Sequence, residues 1–235
     1  MPTNNSPQQS LLASNESRIQ SVSRRKFFMY AGASAGIMAL ASSCDKNDDN
    51  NNMDGAVDLG KDDTGILNYA YALEQLEAAF YTQVILTPYS GITDGEKALL
   101  TDIRDHEIAH REFFKNALAA NAIPGLEVNF STIDFTKRDS VLATAKTFED
   151  LGVAAYNGAG RLIKLADYLV IAGKIVSVEA RHAAYIRDLI SNGSFADSTA
   201  VDAMGLDKAL APNVVLAAAA PFIKTKINAS NLPTS

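Results

Sequence analysis

From Thr64 onward the apolar residues recur at spacings of three and four, the period of a helix face, and strand-like alternation is nearly absent. This pattern predicts an all-α domain of four long helices. The first runs from about Gly65 to Leu86 and stops at Thr87-Pro88-Tyr89-Ser90-Gly91, a turn by its Pro and Gly. Thr93 and Glu96 have the spacing of a capping box and open the second helix, which continues to about Asn121. Ile123-Pro124-Gly125 ends that helix, and Leu126 to Lys137 shows no helical period, a connection longer than is usual within a compact domain. The third helix spans about Asp139 to Leu162. The fourth spans Asp167, read as its N-cap, to Ile190, and ends at Ser191-Asn192-Gly193. Two short loops flanking one long crossover define a four-helix bundle. Gly205, Pro212 and Pro221 surround an apolar run from Val214 to Ala220, which predicts one more short helix capping the bundle.

The chain ahead of the bundle is of a different kind. Residues 1–22 are rich in Asn, Ser, Gln and Pro and have no apolar period. Ser23-Arg24-Arg25-Lys26-Phe27-Phe28 then precedes an apolar stretch from Met29 to Ala41, which has the length of a signal segment and resembles a twin-arginine export signal. The stretch ends in Leu40-Ala41-Ser42-Ser43-Cys44, similar to a lipoprotein processing site at which Cys44 is lipidated, with Ala41 where Leu is usual. The competing reading is a transmembrane anchor over residues 24–43; both put the folded part outside the cytoplasm, at the periplasmic face or cell surface. The Asp- and Asn-rich run after Cys44 reads as a solvated tether. The expected division is therefore signal 1–43, tether 44–61, bundle 62–193 and C-terminal extension 194–235.

Charge excludes one class of partner and sharpens another question. The 235 residues carry a net charge of −6, and residues 1–43 contribute +3 through Arg18, Arg24, Arg25 and Lys26 against Glu16, so the processed chain is near −9. No nucleic-acid partner is expected of so acidic a chain. The chain has one Cys, spent in the signal, so the mature domain has no disulfide and no thiol ligand. Only three His are present, at 106, 110 and 182.

Two of them fall in a repeated pattern. Helix 2 contains Glu107-Ile108-Ala109-His110 and helix 4 contains Glu179-Ala180-Arg181-His182. Residues three apart on a helix share a face, so each pair aims a carboxylate and an imidazole at one point. Both pairs sit in the middle of core-facing apolar stripes, as do Glu74 and Glu77 on helix 1 and Glu149 on helix 3. The spacing from Glu74 to Tyr81 equals that from Glu149 to Tyr156, which makes the bundle two related hairpins whose acidic groups meet at one level. Buried carboxylates without partners cost several kcal/mol each, roughly a domain's whole stability. Two divalent ions resolve that problem, with Glu74, Glu107, His110, Glu149, Glu179 and His182 as ligands. A metal-free bundle with a hydrogen-bonded polar layer is the alternative. Glu77 competes with Glu74 for the helix 1 position, and the repeat favours Glu74 because Gly152 stands where a counterpart of Glu77 would be. Tyr81 and Tyr156 are read either as hydrogen-bond donors to the ligands or redox-active phenols, or as large core residues.

The four segments Ile66 to Tyr81, Asp105 to His110, Phe148 to Tyr156 and Val178 to Tyr185 together resemble the ferritin-like domain family that includes plant desiccation-related proteins and many exported bacterial proteins. The resemblance covers roughly residues 62–191. It implies a ferritin-like bundle holding two iron or manganese ions on the six ligands named. The reaction it leaves open, because bundles of this kind host several chemistries. The expected function is redox chemistry with O2 or peroxide, drawing on an electron donor, in protection against oxidants or desiccation at a membrane-anchored site. The rival is a non-enzymatic surface lipoprotein or stress protein whose metal only holds the helices together. Iron storage in a closed shell fits an anchored, tethered chain least well.

Overall fold

The computed structural model describes residues 55–234. The signal, Cys44 and the first part of the tether lie outside the described residues. Four long helices follow a two-residue strand β1 (Val57–Asp58): α1 (Asp62–Leu86), α2 (Asp94–Leu118), α3 (Arg138–Gly160) and α4 (Ala166–Ile190). A short helix α5 (Pro212–Ala219) and strand β2 (Ile227–Asn228) complete the chain. The expected all-α bundle with a long crossover between α2 and α3 is what the structure shows. Among the described residues no helix is long and apolar enough to cross a membrane.

Local chemistry sets the helix ends. Thr93 accepts from Glu96 N while the Glu96 carboxylate accepts from Thr93 N, the reciprocal capping box expected at the start of α2. Arg138, at the start of α3, donates to Glu96 and to the Leu189 carbonyl, which ties α2, α3 and α4 together at one end. The N-cap of α4 is Leu165, not Asp167, which lies inside the first turn. Asp63 of α1 instead holds the chain entering the helix: its two carboxylate oxygens accept from Lys164 N at 2.8 Å and from the N-cap amide Leu165 N at 2.9 Å.

The crossover is packed against the bundle. Asn68 donates to the Leu59 and Asn121 carbonyls and accepts from Ile123 N, and Gln75 accepts from Leu126 N, so two amides on α1 hold its first residues. Phe130 and Phe135 then reach Phe80 on α1, with ring centroids 6.0 and 5.9 Å away. Phe148 meets Phe80 at 5.1 Å and Phe222 at 4.8 Å, edge to face in both cases. These contacts form an apolar layer between the bundle centre and the end where crossover and C-terminus meet.

Both flanks of the bundle fold more tightly onto it than their composition suggests. Residues 57–61 are not part of a solvated tether, because β1 pairs with β2 in parallel and Leu59 is fully buried. The partner strand lies about 170 positions away, beyond the reach of local pattern. In the C-terminal extension, Leu210 N donates to the Ala154 carbonyl on α3. A Cβ on Gly158 would sit 1.8 Å from the Leu210 carbonyl oxygen, so the absence of a side chain is what permits this approach. Arg187 of α4 is 3% exposed. It makes a two-pronged bond to Asp150 at 2.6 and 2.7 Å and adds Asp197 and Thr199 from the extension.

Gly158→Ala should therefore dislodge the segment around Leu210. The backbone clash costs about 1–3 kcal/mol, against a gain of at most about 1 kcal/mol from helix propensity. A lowered thermal midpoint and faster proteolysis between residues 194 and 211 are expected; an unchanged digest and midpoint would contradict the packing described.

Candidate metal centre

Each helix of the bundle carries its acidic residue near its middle, so antiparallel packing within each hairpin brings the four to one level. Glu74, Glu107, Glu149 and Glu179 have no solvent exposure, and His182 is buried beside them. The Nδ1 atom of His110 lies 2.8 Å from Glu179 Oε1, 3.4 Å from Glu74 Oε2 and 3.7 Å from Glu107 Oε2. The Nδ1 atom of His182 lies 2.8 Å from Glu107 Oε1, 3.4 Å from Glu149 Oε2 and 3.5 Å from Glu179 Oε2. The two lists are the same list with the hairpins exchanged.

The groups form two donor sets that could each hold an ion: Glu74, Glu107, His110 and Glu179, and Glu107, Glu149, Glu179 and His182. Glu107 and Glu179 belong to both sets. Within each set the donor atoms lie within 4.8 Å of one another. Carboxylate and imidazole donors sit about 2.0–2.2 Å from a first-row ion, so two donors to one ion are at most roughly 4.4 Å apart. A contraction of a few tenths of an ångström would seat a cation in either set.

The tyrosines lie where the internal repeat puts them. Tyr81 on α1 donates to Glu149 Oε1 on α3 at 2.5 Å, and Tyr156 on α3 donates to Glu74 Oε1 on α1. Burial pushes both phenols well above their ordinary range, with the neighbouring glutamates adding to the effect, so both keep their proton and remain donors. Each bond occupies one oxygen of its glutamate and leaves the other, Oε2, facing the cluster.

The remaining polar atoms are unsatisfied. Both oxygens of Glu107 and of Glu179, Oε2 of Glu74, and Nδ1 of both histidines are buried and lack a hydrogen-bond partner despite their short mutual distances, as does Oε2 of Glu149. They converge on common points and not along one another's N–H axes. Atoms arranged in this way suit cations between them, and the residues present fit a pair of metal ions.

Glu77 stands outside both donor sets, although it is 4% exposed and as deep as the others. Burial first, then repulsion by Glu107, Glu179, Glu149 and Glu74, drives its carboxyl well above the usual range, with nothing pulling it back. It is a neutral acid in the core. Its Oε1 would lie 3.1 Å from a Cβ on Gly152, so the glycine on α3 leaves the notch that the extra carboxyl occupies. Glu74 rather than Glu77 thus joins the cluster.

The sequence pattern gives His106 no role. Its Nδ1 lies 2.9 Å from Nε2 of His182, on the side of that ring away from the carboxylates. The available signal was its spacing: His106 and His110 are four apart and share a helix face, in a chain with three histidines.

Protons compete with cations for the cluster. Burial disfavours charge on the imidazoles, but Glu107 and Glu179 outweigh it, together with Glu74 at His110 and Glu149 at His182, and push both up to about 12. Burial raises Glu149 to about 7, and raises Glu107 well above its usual range. Glu179 goes the other way, to about 2, because both imidazoles overcome the effect of burial. In metal-free protein the stability from Glu149 is complete below its unfolded value, about 4.3, and is lost as pH rises through about 7. The histidine contribution is complete below about 6.5 and falls as pH rises toward 12. The Glu179 contribution is lost only on acidification, below the ordinary carboxylate range. Metal binding needs these groups deprotonated and strengthens as pH rises. The thermal midpoint of chelator-treated protein should therefore fall from roughly pH 5 to pH 8 while that of manganese-loaded protein does not. Parallel curves for the two forms would show that no cation occupies the cluster.

Comparison with known protein families matches residues 62–192 to a ferritin-like domain, more than half of the chain and all four helices of the bundle. No curated protein matches the chain. The bundle connectivity, the buried Glu and His sets that could hold metal and the extent of the match agree, and the chain belongs to the ferritin-like domain family.

Proposed function

We propose that the protein is a di-metal redox protein that uses iron or manganese to react with O2 or peroxide. The observation that carries this reading is the pair of donor sets with two shared carboxylates. Its charge arithmetic supports two ions: Glu74, Glu107, Glu149 and Glu179 as carboxylates balance two divalent cations, with neutral imidazoles and Glu77 protonated. Such ions supply electrons to dioxygen or peroxide and stabilise the charge that develops on oxygen.

The chain's own residues do the remaining work. Glu107 and Glu179 present oxygens to both donor sets, so the same two side chains would hold both cations. Glu74 and Glu149 would each bind at one position, and Tyr156 and Tyr81 fix their orientation by donating to the oxygen turned away from the cluster. Val141, Leu142, Ala145 and Phe148 on α3 and Leu100, Ile103 and Phe114 on α2 are buried along the same helices and exclude bulk water, which strengthens every electrostatic interaction inside. His110 is the more open of the two histidines, with its side chain 13% exposed against 5% for His182.

The leading segment supports an exported setting. Arg24-Arg25 and the apolar stretch support twin-arginine export, a route that moves folded proteins and permits metal loading beforehand. Cys44 supports a lipid anchor at a periplasmic or cell-surface membrane face, and the family likeness supports a role in oxidant or desiccation stress. An electron donor at that face would complete the cycle. The rival reading, a metal that only staples the helices, draws on the fact that every long helix contributes a donor.

A double substitution, Glu107→Ala with His110→Ala, separates the two. The redox reading expects loss of peroxide reduction or ferrous-iron oxidation by at least about a hundredfold, with helical circular dichroism retained. Metal-loaded intact protein that turns over neither substrate would favour the structural metal.

A further inference from the structure

The internal repeat that generates the two donor sets is broken beside one of them. Glu107 corresponds to Glu179 and His110 to His182, so the counterpart of His106 on α4 is Val178, which has no polar side-chain atom. His106 and His182 make a 2.9 Å nitrogen–nitrogen contact. Their planes differ by 7° and their centroids are 5.2 Å apart, which places the rings edge to edge, as a linear hydrogen bond requires. Among the described residues no group plays this part for His110.

Tautomer chemistry gives the bond a direction. Nδ1 of His182 faces Glu107, Glu149 and Glu179, so a cation in that set takes the Nδ1 lone pair. A neutral imidazole that offers Nδ1 carries its proton on Nε2. His182 therefore donates, and His106 accepts at Nδ1 and keeps its own proton on Nε2. An acceptor on the far nitrogen of a ligating imidazole fixes ring orientation and increases the basicity of the ligating nitrogen. Carboxylates, carbonyls and waters are the usual acceptors in this position; here it is a second imidazole, exposed at the surface of α2.

We propose that His106 is a positioning residue that holds His182 in its metal-binding tautomer and makes the two ion positions unequal, the one at His182 being the tighter and the first to fill. The inference rests on the di-metal reading above. His106 touches the far nitrogen of the His182 ring and none of the donor atoms that face a cation, and its removal leaves every ligand in place.

The test is a competitive titration of the full-length chain with Mn2+ and Zn2+ in wild type, His106→Leu and His106→Asn. Wild type should bind two ions with separated affinities. His106→Leu should weaken the tighter step by about 10- to 100-fold and leave the weaker step unchanged. Asn places its amide near the former Nδ1 and should restore most of the loss. In zinc-loaded wild type, long-range proton–nitrogen NMR should show a slowly exchanging Nε2 proton on His182, lost in His106→Leu and kept in His106→Asn; a fold defect alone would not give this selectivity. Two wild-type steps that His106→Leu leaves unaltered, or weakens equally, would overturn the role of His106 alone. Failure of wild type to bind either metal would overturn the di-metal reading and this inference with it.

Discussion

The structure depends on one electrostatic constraint: four glutamates without solvent exposure meet at the centre of a helix bundle, and most of their oxygens have no hydrogen-bond partner. Charge of that density in a low-dielectric interior would outweigh the marginal stability of a small domain. The two imidazoles and the protons of raised carboxyls relieve it in the absence of metal, and divalent cations relieve it more completely. The rest of the bundle makes the arrangement possible. Each helix carries apolar residues above and below its acidic position, and the crossover and C-terminal segment close the aromatic layer around Phe80 and Phe148.

The site has the symmetry of its origin in the repeat, and the departures from that symmetry carry information. Where the hairpins agree, they supply the exchanged pairs: Tyr81 with Glu149, Tyr156 with Glu74, His110 with Glu179 and His182 with Glu107. Where they differ, the two halves become distinct. Glu77 against Gly152 adds a neutral acid beside the cluster, and His106 against Val178 adds an acceptor behind one histidine. A symmetric scaffold with two local breaks is a way to obtain two ion positions of unequal affinity from one folding unit.

Much of this was legible in the sequence because it is written in short periods. The helices, the capping box at Thr93, the Glu-x-x-His pairs and the equal Glu-to-Tyr spacings all lie within a few turns of one helix, where the 3.6-residue period applies. The arrangement of Glu74, Glu107, His110, Glu149, Glu179 and His182 followed from those periods and the positions of the turns. What escaped depends on partners distant in sequence. The bonds that Asp63 accepts at the entry to α4, the pairing of β1 with β2 that buries Leu59, and the enclosure of Arg187 by Asp150 and the extension all join residues that share no local pattern. His106 escaped for the same reason: its partner is on another helix, and its one local signal is the four-residue spacing to His110.

The central claim is that two cations occupy the cluster, sharing Glu107 and Glu179. Crystals of protein purified from its own host, measured at the iron and manganese absorption edges, test it most directly. The account predicts two anomalous peaks inside the bundle, one bonded to His110 and Glu74 and the other to His182 and Glu149, both within reach of the shared glutamates. A single peak, peaks elsewhere on the protein, or none at either edge would contradict it.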